Sequence, residues 1–135
     1  MTISQDIFFE RTTMSDHRPT EIKLRQESRL LEIVFEDGQV FQLPCEYLRV
    51  YSPSAEVRGH SPEQAVLQIG KERVNIKDVE PIGNYAVKLV FDDGHDTGLY
   101  TWDYLYELGV AKGKYWQRYL DALDNAGHKR PEASG

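Results

Sequence analysis

Several features that mark other protein classes are scarce in this chain. It has a single cysteine, Cys45, among 135 residues, so no internal disulfide can form, which agrees with a reducing compartment. No apolar stretch approaches the roughly 18 residues that a membrane-spanning helix needs. The N-terminus also lacks the basic-then-apolar order of a signal peptide. We therefore expect a cytoplasmic protein that does not bind membranes.

Basic residues are also outnumbered. The chain has 16 Lys and Arg against 22 Asp and Glu, which gives a formal net charge of −6. Binding to a nucleic acid backbone or to an anionic membrane surface draws on a basic footprint, which this composition does not provide. We therefore do not expect nucleic acid as a partner.

The length and composition are those of one domain. A chain of 135 residues, 40% of them hydrophobic, can close one modest core and is too small for most two-domain enzymes. The residue pattern predicts a loose N-terminal arm over residues 1–19, a folded domain over 20–124 and a flexible tail over 125–135.

The clearest internal feature is a repeat. The segment Leu31–Gly38 is echoed by Val87–Gly94, and the similarity resumes at Glu46–Leu48 and Asp103–Leu105 after a slip of one residue. In each copy an apolar, β-branched run leads into Asp-Gly, and a second run follows it. That order predicts a β-hairpin followed by a short helix, twice.

Individual residues mark the turns and helix ends. The two Asp-Gly pairs end at Gly38 and Gly94, and glycine tolerates the positive φ of a tight primed turn. Pro44 suits the opening turn of the first helix, and Thr101 can cap the second through its hydroxyl. Gly109 is predicted as a left-handed stop for that second helix.

The remaining segments follow from hydrophobic periodicity. Alternation predicts strands from residue 20, over 65–69 and over 73–78, and helical spacing predicts an amphipathic helix from Lys114 that packs on the sheet. The apolar positions of that helix are Tyr115, Trp116, Tyr119, Leu120 and Leu123. The predicted fold is α+β, an antiparallel sheet of two pseudo-repeated β-hairpins with short helices and a C-terminal amphipathic helix.

Three segments of the chain, in two separated regions, resemble a known family. The segments Leu48–Val57, Phe91–His95 and Trp102–Leu105 look like the domain at the N-terminus of γ-butyrobetaine hydroxylase and trimethyllysine hydroxylase, and like the stand-alone bacterial DUF971 proteins. The resemblance covers roughly Thr20–Leu123. A related domain also ends some P-loop iron–sulfur cluster carriers. These contexts imply a domain that is not itself catalytic.

The resemblance also implies a metal site that this chain has altered. In the hydroxylases, three cysteines and a distant histidine hold a structural zinc. The cysteine positions are Ser52, Ser54 and Val57 here, and the histidine position is His95. Neutral serine hydroxyls are poor zinc ligands, so we expect that the family zinc has been lost and that the chain has no cofactor.

A different metal site is an alternative. If the loop folds over the second hairpin, as the resemblance implies, Glu56, His60 and His95 converge near Asp93 or Asp96. Two histidines and a carboxylate can hold zinc, iron or nickel in an open site. The competing interpretation, which we favour, is that His95 hydrogen-bonds a serine hydroxyl or a backbone carbonyl and fixes the loop without metal.

Two other features, an acidic run and the single cysteine, have structural interpretations. The acidic run Asp92–Asp96 lacks the pattern of a calcium loop. It is interpreted as a turn in which Asp93-Gly94 makes the bend and the other carboxylates are solvated. Cys45 has no evident base partner and is interpreted as a small packed hydrophobe.

The aromatic run over 100–106 has acidic flanks, unlike a base-stacking platform. We place Trp102, Leu105 and Tyr106 towards the core, with Tyr100 or Tyr104 at the surface.

These observations predict a non-catalytic accessory or protein-interaction domain whose contact surface includes His60, His95 and Tyr104. The alternative is a small zinc- or iron-binding protein that uses His95 with His60 and Glu56, linked to iron–sulfur or oxygenase systems. The chain offers no nucleophile–base pair and no phosphate-cradling glycine loop, so we do not expect an enzyme. The partner protein and the oligomeric state are left open.

Overall fold

The computed structural model describes residues 6–7, 17–58 and 66–131. The first half contains β1 (Asp6–Ile7), β2 (Pro19–Arg25), β3 (Leu30–Phe35), β4 (Val40–Pro44), α1 (Cys45–Val50) and α2 (Ala55–Arg58). The second half contains β5 (Ile76–Ile82), β6 (Ala86–Phe91), β7 (Leu99–Thr101), α3 (Trp102–Val110) and α4 (Lys112–Asn125). The order strand, strand, strand, helix therefore occurs twice.

All strand pairs are antiparallel, and the predicted α+β class is confirmed. The strands form two sheets, a four-stranded one in the order β1-β2-β3-β4 and a three-stranded one in the order β5-β6-β7. Each repeat is thus a three-stranded meander followed by a helix. The two copies also share a bulge near the start of the first strand. The register shifts between Pro19 and Glu21 in β2 and between Ile76 and Asp78 in β5.

The two Asp-Gly turns have the same backbone geometry. Gly38 and Gly94 both have a φ of +89°, so the predicted positive φ is confirmed. In each turn the glycine N–H donates to a phenylalanine carbonyl, and that phenylalanine N–H donates to the carbonyl of the residue after the glycine. The prediction of a primed turn was wrong, because only the glycine has positive φ; these are three-residue loops that end in a left-handed glycine.

The slip in the repeat lies after the second turn. Leu43 pairs with Leu31 twelve positions before it, whereas Tyr100 pairs with Val87 thirteen positions before it. The bond from Phe91 N–H to the His95 carbonyl matches its counterpart in the first copy, so the extra residue falls between His95 and Leu99.

The apolar faces of both sheets and both repeat helices form one core. Ile22 and Leu24 are buried as the alternation in β2 predicted. The largest buried side chains come from both copies and include Phe35, Tyr47, Phe91, Tyr100 and Trp102. Both meanders therefore contribute to a single core.

Reciprocal tyrosine hydrogen bonds join the two repeat helices. The Tyr47 hydroxyl on α1 donates to the Leu108 carbonyl on α3 at 2.7 Å. The Tyr104 hydroxyl on α3 donates to the Tyr51 carbonyl at the end of α1. Tyr104 is equivalent to Tyr47 in the repeat, and Leu108 is equivalent to Tyr51. Because the last carbonyls of a helix lack partners within it, each repeat satisfies one for the other.

The helix ends were predicted unevenly. The Thr101 hydroxyl accepts from the Tyr104 N–H at 3.2 Å, as expected of an N-cap. Gly109 was wrongly predicted as a left-handed stop, because it lies inside α3, which continues to Val110. A side chain at Gly109 would overlap the ring of Phe41, so this glycine serves the close approach of β4.

One prediction about the later segments was also wrong. Residues 66–69 form no strand; Val66 and Ile69 are exposed, and Leu67 packs beside α4. The buried residues Tyr119 and Leu123 of α4 form a separate cluster with Val50 at the end of α1, while Tyr115 and Trp116 pack against the main core. The apolar residues of segment 66–69 suggested a strand, but Leu67 packs beside a helix instead.

Residues beyond α4 continue to contact the domain. The His128 N–H donates to the Leu123 carbonyl at 2.9 Å, and the Arg130 guanidinium forms two bonds, of 2.6 and 3.0 Å, with the buried Glu46 carboxylate. The predicted tail thus packs on the domain up to this point. Within the described part of the chain, no helix has the length and apolarity needed to cross a bilayer.

The turn geometry predicts equal costs in the two copies. Gly38→Ala and Gly94→Ala should each lower the free energy of unfolding by about 1–3 kcal/mol, because an L-residue is strained at this φ. An added Cβ meets nothing within 4 Å at either position, so the cost is conformational and alike. Urea denaturation measures both.

Gly113→Ala is the matched control, because Gly113 lies in α4 with equally open surroundings and without positive φ. It should leave stability unchanged or raise it by up to about 1 kcal/mol. Equal stability of all three variants would contradict the turn assignment.

Candidate functional site

The loop between α1 and α2 meets the loop before β7 through His95. The Ser52 Oγ lies 2.8 Å from His95 Nε2, and Glu56 Oε2 lies 3.0 Å from His95 Nδ1. Because a carboxylate only accepts, Nδ1–H donates to Glu56, and the neutral ring then accepts the Ser52 hydroxyl at Nε2. Ser52 is 0% exposed and His95 is 5% exposed, so this pairing is closed to solvent.

A second row of hydrogen bonds lies beside the first. The Thr97 hydroxyl donates to Glu56 at 2.9 Å, so the Ser54 hydroxyl donates to Thr97 at 2.6 Å. The serine oxygens also accept from the backbone, Ser52 Oγ from the Ser54 N–H and Ser54 Oγ from the Glu56 N–H. The loop is therefore held by side-chain hydrogen bonds on both sides of Glu56.

Gly98 allows the two loops to approach closely. A Cβ at Gly98 would lie 2.5 Å from Ser52 Oγ and 3.3 Å from the Pro53 ring. No L side chain fits there without moving the loop between α1 and α2, which contains Ser52 and Ser54 and which we call the serine loop. Thr97 and Gly98 belong to the segment that contains the extra residue of the second repeat, which brings the loops together.

An ion cluster supports the turn before His95. Asp93 accepts from the largely buried Arg49 at 2.9 Å and from Lys71 at 2.7 Å, and its other oxygen accepts from the His95 N–H. Partial burial raises the pKa of Asp93, but these hydrogen bonds and charges outweigh it and lower the pKa to about 2. Asp93 is therefore an anchor as well as a turn residue, which the sequence did not reveal.

The protonation state of His95 follows from its surroundings. Burial lowers the pKa of His95, and the positive charge of Arg49 lowers it further. Glu56 and Asp93 act in the opposite direction and do not restore the ordinary value. The neutral ring required by the Ser52 contact is thus the favoured form at neutral pH.

The structure brings together some of the predicted site residues. Ser52, Glu56 and His95 are in contact, Ser54 faces Thr97, and Val57 is buried nearby. His60, proposed for both the metal site and the contact surface, lies outside the described residues. Over residues 17–58 and 66–131, no three His, Cys, Asp or Glu side chains lie close enough to hold a metal ion.

A groove opens beside this closed loop, and we call it the tyrosine groove. Its volume is about 390 Å³, and four helices and the segment 66–68 surround it. Its aromatic walls are Tyr51, Tyr104, Tyr115 and Tyr119, and its apolar lining includes Val50, Val57, Leu67 and Ala122. The sequence did not reveal it, because its walls come from separate segments.

The tyrosine hydroxyls of the groove are already satisfied within the domain. Tyr51 donates to the Tyr115 carbonyl, Tyr104 to the Tyr51 carbonyl, and Tyr115 and Tyr119 to the carboxylates of Glu107 and Glu46. Burial raises the pKa of Tyr51 and of Tyr104, so both stay protonated. The groove therefore presents ring faces and hydrocarbon rather than free hydroxyl groups.

Two arginines lie on the aromatic walls. The Arg58 guanidinium is 4.7 Å from the centre of the Tyr104 ring, and that of Arg118 is 5.1 Å from the centre of the Tyr115 ring. The spacing of Tyr115 and Arg118, three residues apart on a helix, was the one sequence signal of this arrangement.

The remaining predicted residues are placed as follows. Tyr100 is fully buried and donates to the Leu48 carbonyl at 2.6 Å, so Tyr104, not Tyr100, reaches the groove. His95 is buried and cannot contact a partner in this conformation. Cys45 is fully buried as predicted, and burial raises the pKa of its thiol to about 12, which disfavours the reactive thiolate.

Comparisons with known proteins support the family resemblance and the fold. The family model described as "Gamma-butyrobetaine hydroxylase-like, N-terminal" matches residues 22–106. No curated protein matches the chain.

Two NMR solution structures are 48% and 50% identical to the chain, with TM-scores of 0.75 and 0.74. They cover 87% and 93% of this chain, and 94% and 97% of their own. A crystal structure from Acidithiobacillus ferrooxidans, of a protein with unknown function in the DUF971 family, is 40% identical with a TM-score of 0.58. It covers 68% of this chain and 92% of its own.

The contact between Gly98 and Ser52 predicts energetic coupling. Gly98→Ala should lower the free energy of unfolding by about 1–3 kcal/mol through overpacking. Ser52→Ala removes the oxygen that the new Cβ would meet, so the double variant should be more stable than the sum of the two single effects by about 1 kcal/mol. A double-mutant cycle in urea measures this coupling. Strictly additive effects would contradict the proposed overlap.

Cysteines placed in the serine loop should create a zinc site at the positions that the family resemblance assigns to zinc ligands. Ser52→Cys, Ser54→Cys and Val57→Cys together, beside His95, should raise the melting temperature in zinc but not in chelator, because the metal binds only the folded site. The same triple variant with His95→Ala is the control and should respond less. A zinc-dependent rise of equal size in the unmodified protein would contradict the expected loss of the site.

Proposed function

Because the chain belongs to the γ-butyrobetaine hydroxylase-like N-terminal family, also called DUF971, we propose that it is a non-catalytic accessory domain that binds a protein partner through the tyrosine groove. The observation that carries this proposal is the contrast between two neighbouring sites. The loop at the family's ligand positions is closed by its own hydrogen bonds, whereas the groove beside it is open and lined by ring faces. Tyrosine and arginine are enriched among residues that dominate binding energy at protein interfaces.

The serine loop supports a structural role rather than catalysis. Ser52, His95 and Glu56 contact one another in the order of a hydrolase nucleophile, base and carboxylate. Ser52 is completely buried, however, and its oxygen accepts from the Ser54 N–H while Gly98 lies against it. The burial of this oxygen in the present conformation favours a role of these contacts in fixing the loop.

Metal binding is the second candidate, and one observation favours it. His95 and Glu56, two members of the predicted ligand set, are 3.0 Å apart. The other ring nitrogen of His95 is taken by Ser52, so a metal would have to displace a hydrogen bond on one side of the ring. Elemental analysis of protein purified without an affinity tag tests this role: near-stoichiometric zinc or iron would support it.

Site-specific crosslinking tests the docking role. A photoreactive amino acid at Val66, which lines the groove and is 55% exposed, should give one adduct of defined size in living cells. The same amino acid at Leu99, 45% exposed and outside the groove lining, is the matched control. The protein in the Val66 adduct should be the same in repeated preparations by mass spectrometry. Identical adducts at both positions, or none at Val66, would contradict docking in the groove.

A further inference from the structure

The geometry points to an acidic segment of the partner protein as the occupant of the tyrosine groove, with an apolar side chain that enters between the tyrosine rings. This inference rests on the proposed function and adds the chemistry of the partner. It follows from the charge of the groove rim and from the chemistry of the groove walls.

The rim offers positive charge that the domain itself does not neutralise. Within the described chain, no carboxylate forms an ion pair with Arg58 or Arg118, and the two guanidinium groups lie against Tyr104 and Tyr115. Lys114 lies one helical turn before Arg118 on α4. A guanidinium stacked on a ring keeps its N–H edges available to carboxylates. The rim therefore attracts carboxylates although the chain has a net charge of −6.

Two acidic residues near the rim are hydrogen-bonded to neutral groups of the domain rather than to the arginines. Glu107, which lines the groove, accepts the Tyr115 hydroxyl at 2.6 Å, and Asp121 accepts from the Gln117 amide at 2.9 Å. Neither contacts the two arginines within ion-pair distance. The positive charge comes from two arginines and Lys114 only, which suits a few carboxylates and not a long polyanion.

The groove interior selects an apolar group. All four tyrosine hydroxyls donate within the domain, so a small polar ligand would find few partners between the rings. Aliphatic and aromatic side chains gain burial there against Val57, Leu67 and Ala122. A volume of about 390 Å³ is at the lower end of the range for ligand pockets and accommodates one or two large side chains.

An NMR titration of the full chain labelled with ¹⁵N tests the inference. The probe is the synthetic peptide acetyl-Glu-Asp-Leu-Phe-Asp-Glu-amide. It should shift amide signals of Tyr104, Tyr115 and Arg118 in a saturable manner, and added salt should weaken binding because the rim is exposed. A peptide with lysine at the four acidic positions, and one with alanine in place of Leu-Phe, should each bind at least roughly tenfold more weakly.

Matched variants separate the effect of the rim arginines on peptide binding from the effect of net charge. Arg58→Gln with Arg118→Gln should weaken binding of the acidic peptide roughly tenfold. Arg73→Gln with Lys77→Gln changes the net charge equally at exposed positions outside the groove and should change binding less than about twofold. Circular dichroism and melting temperature check that both variants fold.

The outcomes distinguish this inference from the function it rests on. Equal binding of acidic and basic peptides, equal weakening by both variant pairs, or no saturable shift at millimolar peptide would overturn the acidic occupant. If one of these results accompanies a Val66-specific crosslink, the groove still docks a protein and only the partner chemistry is wrong. If the crosslink is absent as well, both ideas fail.

Discussion

The fold depends on one core to which the apolar faces of both repeats contribute, and which neither repeat forms alone. A three-stranded meander with one short helix is near the limit of independent stability. Here both meanders contribute to one core, and the helix that ends each repeat is tied to the other by a tyrosine hydroxyl. Tyr47 donates to the Leu108 carbonyl and Tyr104 to the Tyr51 carbonyl, so each bond satisfies a helix-end carbonyl of the opposite copy. The two copies of the repeat therefore stabilise each other.

The two copies diverge where the closed loop forms. His95 is equivalent to Gln39, which is exposed on the first hairpin, but His95 is buried against Ser52. The extra residue that follows His95 lies in the segment that carries Thr97 and Gly98 against the serine loop. Asp93 fixes the same turn through Arg49 and Lys71. A hydrogen-bonded closure thus occupies the positions that the resemblance to the hydroxylase domains assigns to zinc ligands.

Closure of this loop and openness of the groove are connected. Ser52 and Ser54 make the closed contacts with His95 and Thr97, and Ser52, Val57 and Arg58 also line the groove. Fixing the loop through His95 therefore also positions Arg58 over the Tyr104 ring. Tyr104 has two roles, because its hydroxyl ties the helices together while its ring forms a groove wall. The arginines, which carry no such structural bond, are the positions where binding can be altered separately from the fold.

Local patterns in the sequence determined the repeat, the α+β class, the positive φ of Gly38 and Gly94, and the cap at Thr101, because each depends on residues a few positions apart. The family resemblance drew attention to Ser52 and His95, and Glu56 followed from the same loop. Tertiary structure alone decided that α4 packs on α1, that Gly109 admits the Phe41 ring, and that Arg130 reaches the buried Glu46. It also decided the tyrosine groove, since residues from Val50 to Ala122 meet there only after both repeats have packed. Periodicity predicts which face of an element is apolar, but it carries no information about which distant face will cover it.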